Sequence, residues 1–504
     1  MSSTVQNPYV WARALPRPAR PSPECILVEP FRDGLNIVLA GCLSLLIICA
    51  LVAIRPELWN WSLLPIFACG ILSGIDMIAW LRGRLDVFDP LGVLGAFGYH
   101  FFFLAPLLTL MWNYHDRYLP LASNWMDWIG WLSLLNACGL VIYMFGRRLF
   151  PIRKPLKVWR LRSSYFFAST AIALPVALAC QIFIFVQFGG LVGFVEAFSS
   201  SIGNDPFAGM GFIFLVAETF PVFCAIVLLV WKRDSLRRRS WVFLAVLILA
   251  FFLLKLVFGG LRGSRGLTVW GLFWFVGAIH VWIRPLPRKM LVLGLLCLVG
   301  FMYAYGFYKD EGLLALEALS DPSKVDRMEL NSGRTIDAAL LGDMARTDIQ
   351  ATLLYRIASI GEYREAYGFT YLEAFAFVIP KSLWPDRPEG KVEYGTDALY
   401  GEEAYTRTNR ATYIYGFVGE AMLNFPPIFA PLAFLGLAFV MSKMRAMLLL
   451  DQTDLRRLFV PILSILAILL VSSDLDNVLF ISLSIAVAPL ALMRACCQVV
   501  PKSS

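Results

Sequence analysis

Apolar runs of about 20 residues, the length a helix needs to cross the hydrocarbon core of a bilayer, follow one another through most of this chain. They fall at 34–54, 61–81, 88–112, 126–145, 165–187, 210–231, 241–260, 267–283, 290–308, 414–441, 457–473 and 477–493. In lipid each backbone N–H and C=O must find its partner within the segment, so runs this rich in Leu, Phe and Ala are helices. The predicted fold class is therefore an all-α polytopic membrane protein, a bundle of about twelve transmembrane helices. A composition of 59% hydrophobic and 16% charged residues excludes an ordinary soluble domain.

One long stretch, 309–413, breaks the pattern and holds 18 of the 36 acidic residues. The expected organisation is a basic, Pro-rich tail at 1–33, nine spans within 34–308, a large polar loop subdomain at 309–413, three more spans within 414–495, and a short tail at 496–504. Orientation follows from where Lys and Arg collect. Arg13, Arg17, Arg20 and Arg32 precede the first span. Arg82 and Arg84 follow the second, Arg147 to Arg162 the fourth, Lys232 to Arg239 the sixth, Arg284 to Lys289 the eighth, and Lys443 to Arg457 the tenth. All share one side with both termini, which makes that side cytoplasmic and the polar stretch extracytoplasmic.

These links account for the net charge of +8, so no nucleic-acid partner is needed. The polar stretch contains none of the 10 cysteines and cannot be disulfide-stapled. Cys496 and Cys497 lie beside the last span, where lipidation and plain thiols are both open. With 3 histidines and no CxxC spacing, no metal site and no cofactor is expected.

Within the stretch, helices are expected near Lys309–Ser320, Thr335–Met344 and Asp348–Ile360. Thr370 and Glu373 have capping-box spacing ahead of the apolar run Ala374–Ile379. That run is too short to span and should lie at the interface, with Trp384 as an aromatic anchor. The prolines of the strap that follows, 380–388, exclude helix and present Lys381 and Arg387 above the lipid.

The sequence Ile-Pro-Lys-Ser-Leu-Trp-Pro-Asp-Arg-Pro at 379–388 is preceded by Tyr367–Gly368 and followed by Gly419–Glu420 and Asn424–Phe425. This constellation resembles the signature of Wzy-type O-antigen and oligosaccharide repeat-unit polymerases, with the two basic residue types of the strap exchanged. The resemblance covers about 70 residues; beyond them only the topology agrees. It implies a glycosyltransferase in a bacterial cytoplasmic (inner) membrane, acting on undecaprenyl-diphosphate-linked oligosaccharides without metal or nucleotide. It also implies that membrane lipid, a chain-length regulator and a flippase of the same pathway are partners.

Such a transfer needs cations for the leaving diphosphate and a carboxylate for the proton of the acceptor hydroxyl. Glu420, Arg262, Arg265 and Arg356 are the candidate catalytic residues; Lys255, Lys381, Arg387, Arg410 and Trp384 are candidates for holding substrate. Arg262 and Arg265 sit in a turn too short to leave the membrane surface. Lys255 lies below Arg262 inside a span, where ionisable side chains are expensive. Glu420, in the opening turns of the tenth span, suits either a base or a salt bridge to a loop arginine. Glu362 and Asp386 are weaker bases, and Asp474 and Asp476 form an acidic turn at a cavity mouth. Glu218 could pair with Lys255, and Asp76 is structural. Two alternatives stand beside the polymerase: a transporter of polysaccharide or lipid-linked oligosaccharide, and an O-antigen ligase. A ligase relies on a loop histidine, and the polar stretch has none.

Overall fold

Long uncharged runs leave the chain little choice but helix. The computed structural model describes residues 29–199, 210–262, 265–311, 335, 337–361, 363–376, 379, 384, 386–407 and 412–501. Eleven of its helices are long and apolar enough to cross a membrane. They are α1 (Gly34–Ile54), α2 (Leu63–Leu81), α3 (Pro90–Trp112), α4 (Trp125–Leu149), α5 (Ser163–Gln187), α6 (Gly211–Trp231), α7 (Trp241–Arg262), α8 (Gly266–Ile283) and, after the polar stretch, α14 (Pro427–Leu449), α15 (Leu455–Ser472) and α16 (Leu475–Cys496). A further helix, α9 (Arg288–Glu311), is 24 residues long and uncharged from Met290 to Tyr308. The chain is an all-α polytopic membrane protein.

Local chemistry sets several helix starts. The Asp33 carboxylate accepts from Leu35 N–H at 3.1 Å to begin α1. Asp89 does the same for Leu91 at 2.9 Å, with Pro90 in the first turn where its missing N–H costs nothing. Two apolar cores fill the bundle. One is built chiefly from α2, α3, α4 and α14, the other from α6, α7, α8 and α16. α15 is their common wall, since Leu466 and Leu470 pack against both.

At the end of the bundle that carries the basic links, buried charges tie the spans together. Arg147 of α4 reaches Asp76 of α2 at 2.7 Å and Glu29 at 3.3 Å. Arg445 of α14 meets Glu29 at 3.4 Å and Asp89 at 3.3 Å. Nearer the surface, Arg82 closes on the partly exposed Asp33 at 2.7 Å. Two short strands, Lys157–Leu161 and Cys497–Pro501, form an antiparallel ribbon at the same end. Cys496 and Cys497, where the second strand begins, are buried, which favours plain thiols.

The polar stretch folds onto the opposite end. Helix α10 (Thr347–Ile360) packs Tyr355 on Trp128, near the other terminus of α4, with ring centroids 5.4 Å apart. The wide helical turn Ala338–Asp343 sinks beside α3: Leu341 packs on Ala105, and the Leu340 carbonyl lies 3.1 Å from His100 Nε2. This segment is thus wedged into the bundle rather than laid over it. Three more helices belong to it: α11 (Phe369–Ala376), α12 (Lys391–Tyr400) and α13 (Gly416–Asn424).

The span expected at 414–441 is divided. Its first part is α13, only 9 residues long, and the crossing helix begins at Pro427. Pro426 and Pro427 lack backbone donors and interrupt the helical ladder between the two pieces. The polar subdomain therefore runs on to the start of α14, and Glu420 belongs to it rather than to a crossing helix.

Candidate functional site

Polar residues at the loop end are buried together, which costs free energy unless each finds a partner. Glu420, 3% exposed, lies on α13. Its Oε1 accepts from the Thr370 hydroxyl of α11 at 3.1 Å and its Oε2 from Leu475 N–H at 2.7 Å. Asn424, one helical turn on, donates to the Thr370 hydroxyl at 2.6 Å and to the Glu420 carbonyl at 2.8 Å, and accepts from Gly368 N–H at 2.9 Å. The turn at Ala366 and Tyr367 adds two backbone bonds to Leu423 and Asn424, each 2.9 Å. The Gly-Glu and Asn-Phe pairs seen in the sequence thus bind the Tyr-Gly pair in one network.

Thr370 does not cap a helix. It sits inside α11 and serves Glu420, while Glu373 takes Arg387 at 3.2 Å. The capping contact forms downstream, where Gly390 N–H donates to Glu393 at 3.1 Å.

Beside Glu420 lies an ion-pair cluster. Lys391, at the first position of α12, contacts Asp474 closely and Asp476 at 2.9 Å. Asp474, fully buried, also accepts from Gly416 N–H at 2.7 Å. Gly416 has φ +69°, a conformation glycine adopts without strain, and so turns its N–H toward the carboxylate. Burial pulls the Lys391 pKa down, but Asp474 and Asp476 more than offset it and hold the pKa above its ordinary value. For Glu420, burial and then the Asp474 charge push the carboxyl up to about 8. No cation touches Glu420 among the described residues.

Lys391 escaped the sequence reading, although a cation at a helix N-terminus opposes the helix dipole and needs an anion nearby. Arg346, just ahead of α10, was also missed. Its Nη1 is held by the carbonyls of Gly342, Asp343 and Ala345 at 2.5, 3.1 and 2.6 Å, its Nε has no hydrogen-bond partner among the described residues, and Asp474 is among the charges that act on it.

A second polar group occupies α6 and α7. Arg262 pairs with Glu218 at 2.9 Å and lies over the Phe214 ring. Lys255, 2% exposed, donates to the Glu218 carbonyl at 3.1 Å. The close approach of α8 at Gly271 leaves room for the lysine stem, since a Cβ there would lie 2.9 Å from Lys255 Cε. The expected cationic track therefore contains its own carboxylate: Glu218 pairs with Arg262 by its side chain and with Lys255 through its backbone.

The remaining candidates are scattered. Arg356 Nε donates to the Ala398 carbonyl at 3.4 Å. Arg387 is half-buried against Glu373, and Trp384 is exposed beside it. Arg265 opens the helix after the turn, its side chain outside the described residues. Lys381, Arg410 and Glu362 lie outside them altogether. His115 packs edge-on against Trp125 at 5.0 Å. No group of three or more potential metal ligands occurs among the described residues. No family model, curated protein or solved structure matches the chain.

Proposed function

We propose that this protein is a glycan polymerase of the outer face of a bacterial cytoplasmic membrane. It would transfer an oligosaccharide from its undecaprenyl diphosphate to a hydroxyl of the next lipid-linked repeat. The observation that carries the reading is Glu420: a buried carboxylate, bound to an alcohol and an amide, touched by no cation among the described residues, and one of the residues that carry the resemblance to the polymerase signature. A base with a pKa near the working pH combines availability with proton affinity. The Thr370 hydroxyl at 3.1 Å has the geometry in which an acceptor alcohol would approach.

In this reading the acceptor O–H gives its proton to Glu420 as its oxygen bonds to the anomeric carbon, and the bond from that carbon to the lipid diphosphate breaks. Charge gathers on the departing diphosphate. Arg262, Arg265, Lys381, Arg387 and Arg410 are the cations available to meet it. Arg262 would first exchange Glu218 for phosphate.

A second reading, movement of a lipid-linked sugar across the membrane, draws on the Glu218–Lys255–Arg262 group inside the spans, where ionisable residues commonly mark a pathway. Polysaccharide from a deletion strain, sized on a gel, separates the two. A polymerase deletion leaves single repeat units that the wild-type gene extends to polymer. Loss of even the single unit favours transport, and polymer of normal length in a strain with no second polymerase rules the polymerase out.

A further inference from the structure

Helix α13 is gripped at its first residue and one turn on by two consecutive residues. Asp474 accepts from Gly416 N–H at its start, and Leu475 N–H donates to Glu420 one turn later, each at 2.7 Å. Lys391 holds Asp474 from the other side and reaches Asp476 at 2.9 Å. Lys391 is 7% exposed and Asp474 wholly buried, so little water screens either charge. The lysine arrives from α12, the carboxylates from the turn between α15 and α16, and Glu420 from α13. Three separate parts of the chain thus meet around one proton-binding group.

We propose that Lys391, Asp474 and Asp476 are positioning residues that fix Glu420 and set, through opposed charges, the pH at which it releases its proton. This deepens the polymerase reading and depends on it only for what Glu420 does with that proton. Asp474 and Asp476 favour the protonated form of Glu420, and Lys391 favours the carboxylate. Other groups face the cluster: Tyr371 from α11, Tyr415 at the head of α13, and Arg346 ahead of α10, whose charge acts on Asp474. The two tyrosines are held neutral by burial, and Arg346 keeps one sign of charge through the relevant range. The carboxylates and Lys391 are therefore the groups whose replacement shifts the balance.

The test is an infrared pH titration of the purified full-length protein in lipid. It follows the carbonyl stretch of the protonated Glu420 carboxyl, identified by its absence in Glu420→Gln. Lys391→Gln should raise the midpoint and Asp476→Asn should lower it, each by on the order of one pH unit. Asp476 is the least buried of the three, its side chain 28% exposed, so Asp476→Asn tests the claim even where Lys391→Gln fails to fold. The acid limb of glycan elongation should move with each midpoint, a result that general loosening would not give. Unmoved midpoints, or shifts of the same sign in both variants, would overturn the proposal. A wild type that titrates with these opposed shifts yet elongates no glycan would sink the polymerase reading and leave the charge frame standing.

Discussion

The two ends of the bundle treat buried carboxylates differently. At the basic end Glu29, Asp76 and Asp89 each touch a guanidinium, as does the more exposed Asp33. At the loop end one lysine serves Asp474 and Asp476, and among the described residues Glu420 beside them touches a hydroxyl and an amide but no cation. A matched network satisfies its charges and resists change; its job is to hold the spans α2, α3, α4 and α14 in register. A carboxylate denied a cation keeps its affinity for a proton. Burial is common to both regions, and the difference lies in where the arginines are.

The largest effect should come from removing the unmatched group. Glu420→Gln keeps the size of the side chain and one acceptor oxygen while removing the ionisable proton. It should lower glycan elongation by about 10²–10⁴-fold, the usual contribution of a general base, while the protein still elutes as wild type. Elongation at an unchanged rate would make the two ends alike, both structural.

At the basic end the expected loss is of stability. Arg147→Met leaves Asp76 and Glu29 with one fewer guanidinium in a buried site, at a cost of about 3–5 kcal/mol, read from thermal unfolding in detergent. Elongation per folded molecule should be unchanged. A marginal stability effect with lost elongation would reverse the roles assigned to the two ends.

A smaller effect concerns pH. The Glu420 carboxyl is pushed up to about 8 in the fold from an ordinary 4.5, so the folded protein holds this proton more tightly than the unfolded chain. Its contribution to stability is therefore present below about 4.5 and is lost as pH rises through about 8. Asp348, raised by burial to about 6, adds a loss of the same sign at lower pH. Unfolding midpoints measured from pH 5 to pH 8 should fall in wild type and fall less in Glu420→Gln. Parallel curves would remove the proton-holding role. The smallest change is expected from Arg387→Ala, whose mostly buried pair with Glu373 should be worth on the order of 1 kcal/mol. A large loss of elongation in that variant would bring the strap into the reaction itself.

Much of the fold was legible because hydropathy and span length act locally: the helices from Gly34 to Ile283 lie where the apolar runs do, and α10 begins within a residue of its expected start. The division of the tenth span was written in Pro426–Pro427, but the apolar character of Phe417, Val418, Met422 and Leu423 masked it. The site was less legible, since its contacts join distant parts of the chain. Glu420 stood out as a carboxylate in an apolar setting. Nothing local to Lys391 names Asp474, 83 residues away, and nothing local to Arg262 names Glu218. A pattern of residue types reveals where charge is costly, and only the fold reveals which opposite charge meets it.

The most direct test of the central claim is elongation by purified protein in lipid vesicles supplied with undecaprenyl-diphosphate-linked repeat units, with products sized on a gel. Wild type should yield a ladder of repeats and Glu420→Gln only the starting unit. A wild type that leaves the unit unextended under conditions where a known polymerase extends it, or a Glu420→Gln variant that builds the same ladder, would contradict the account.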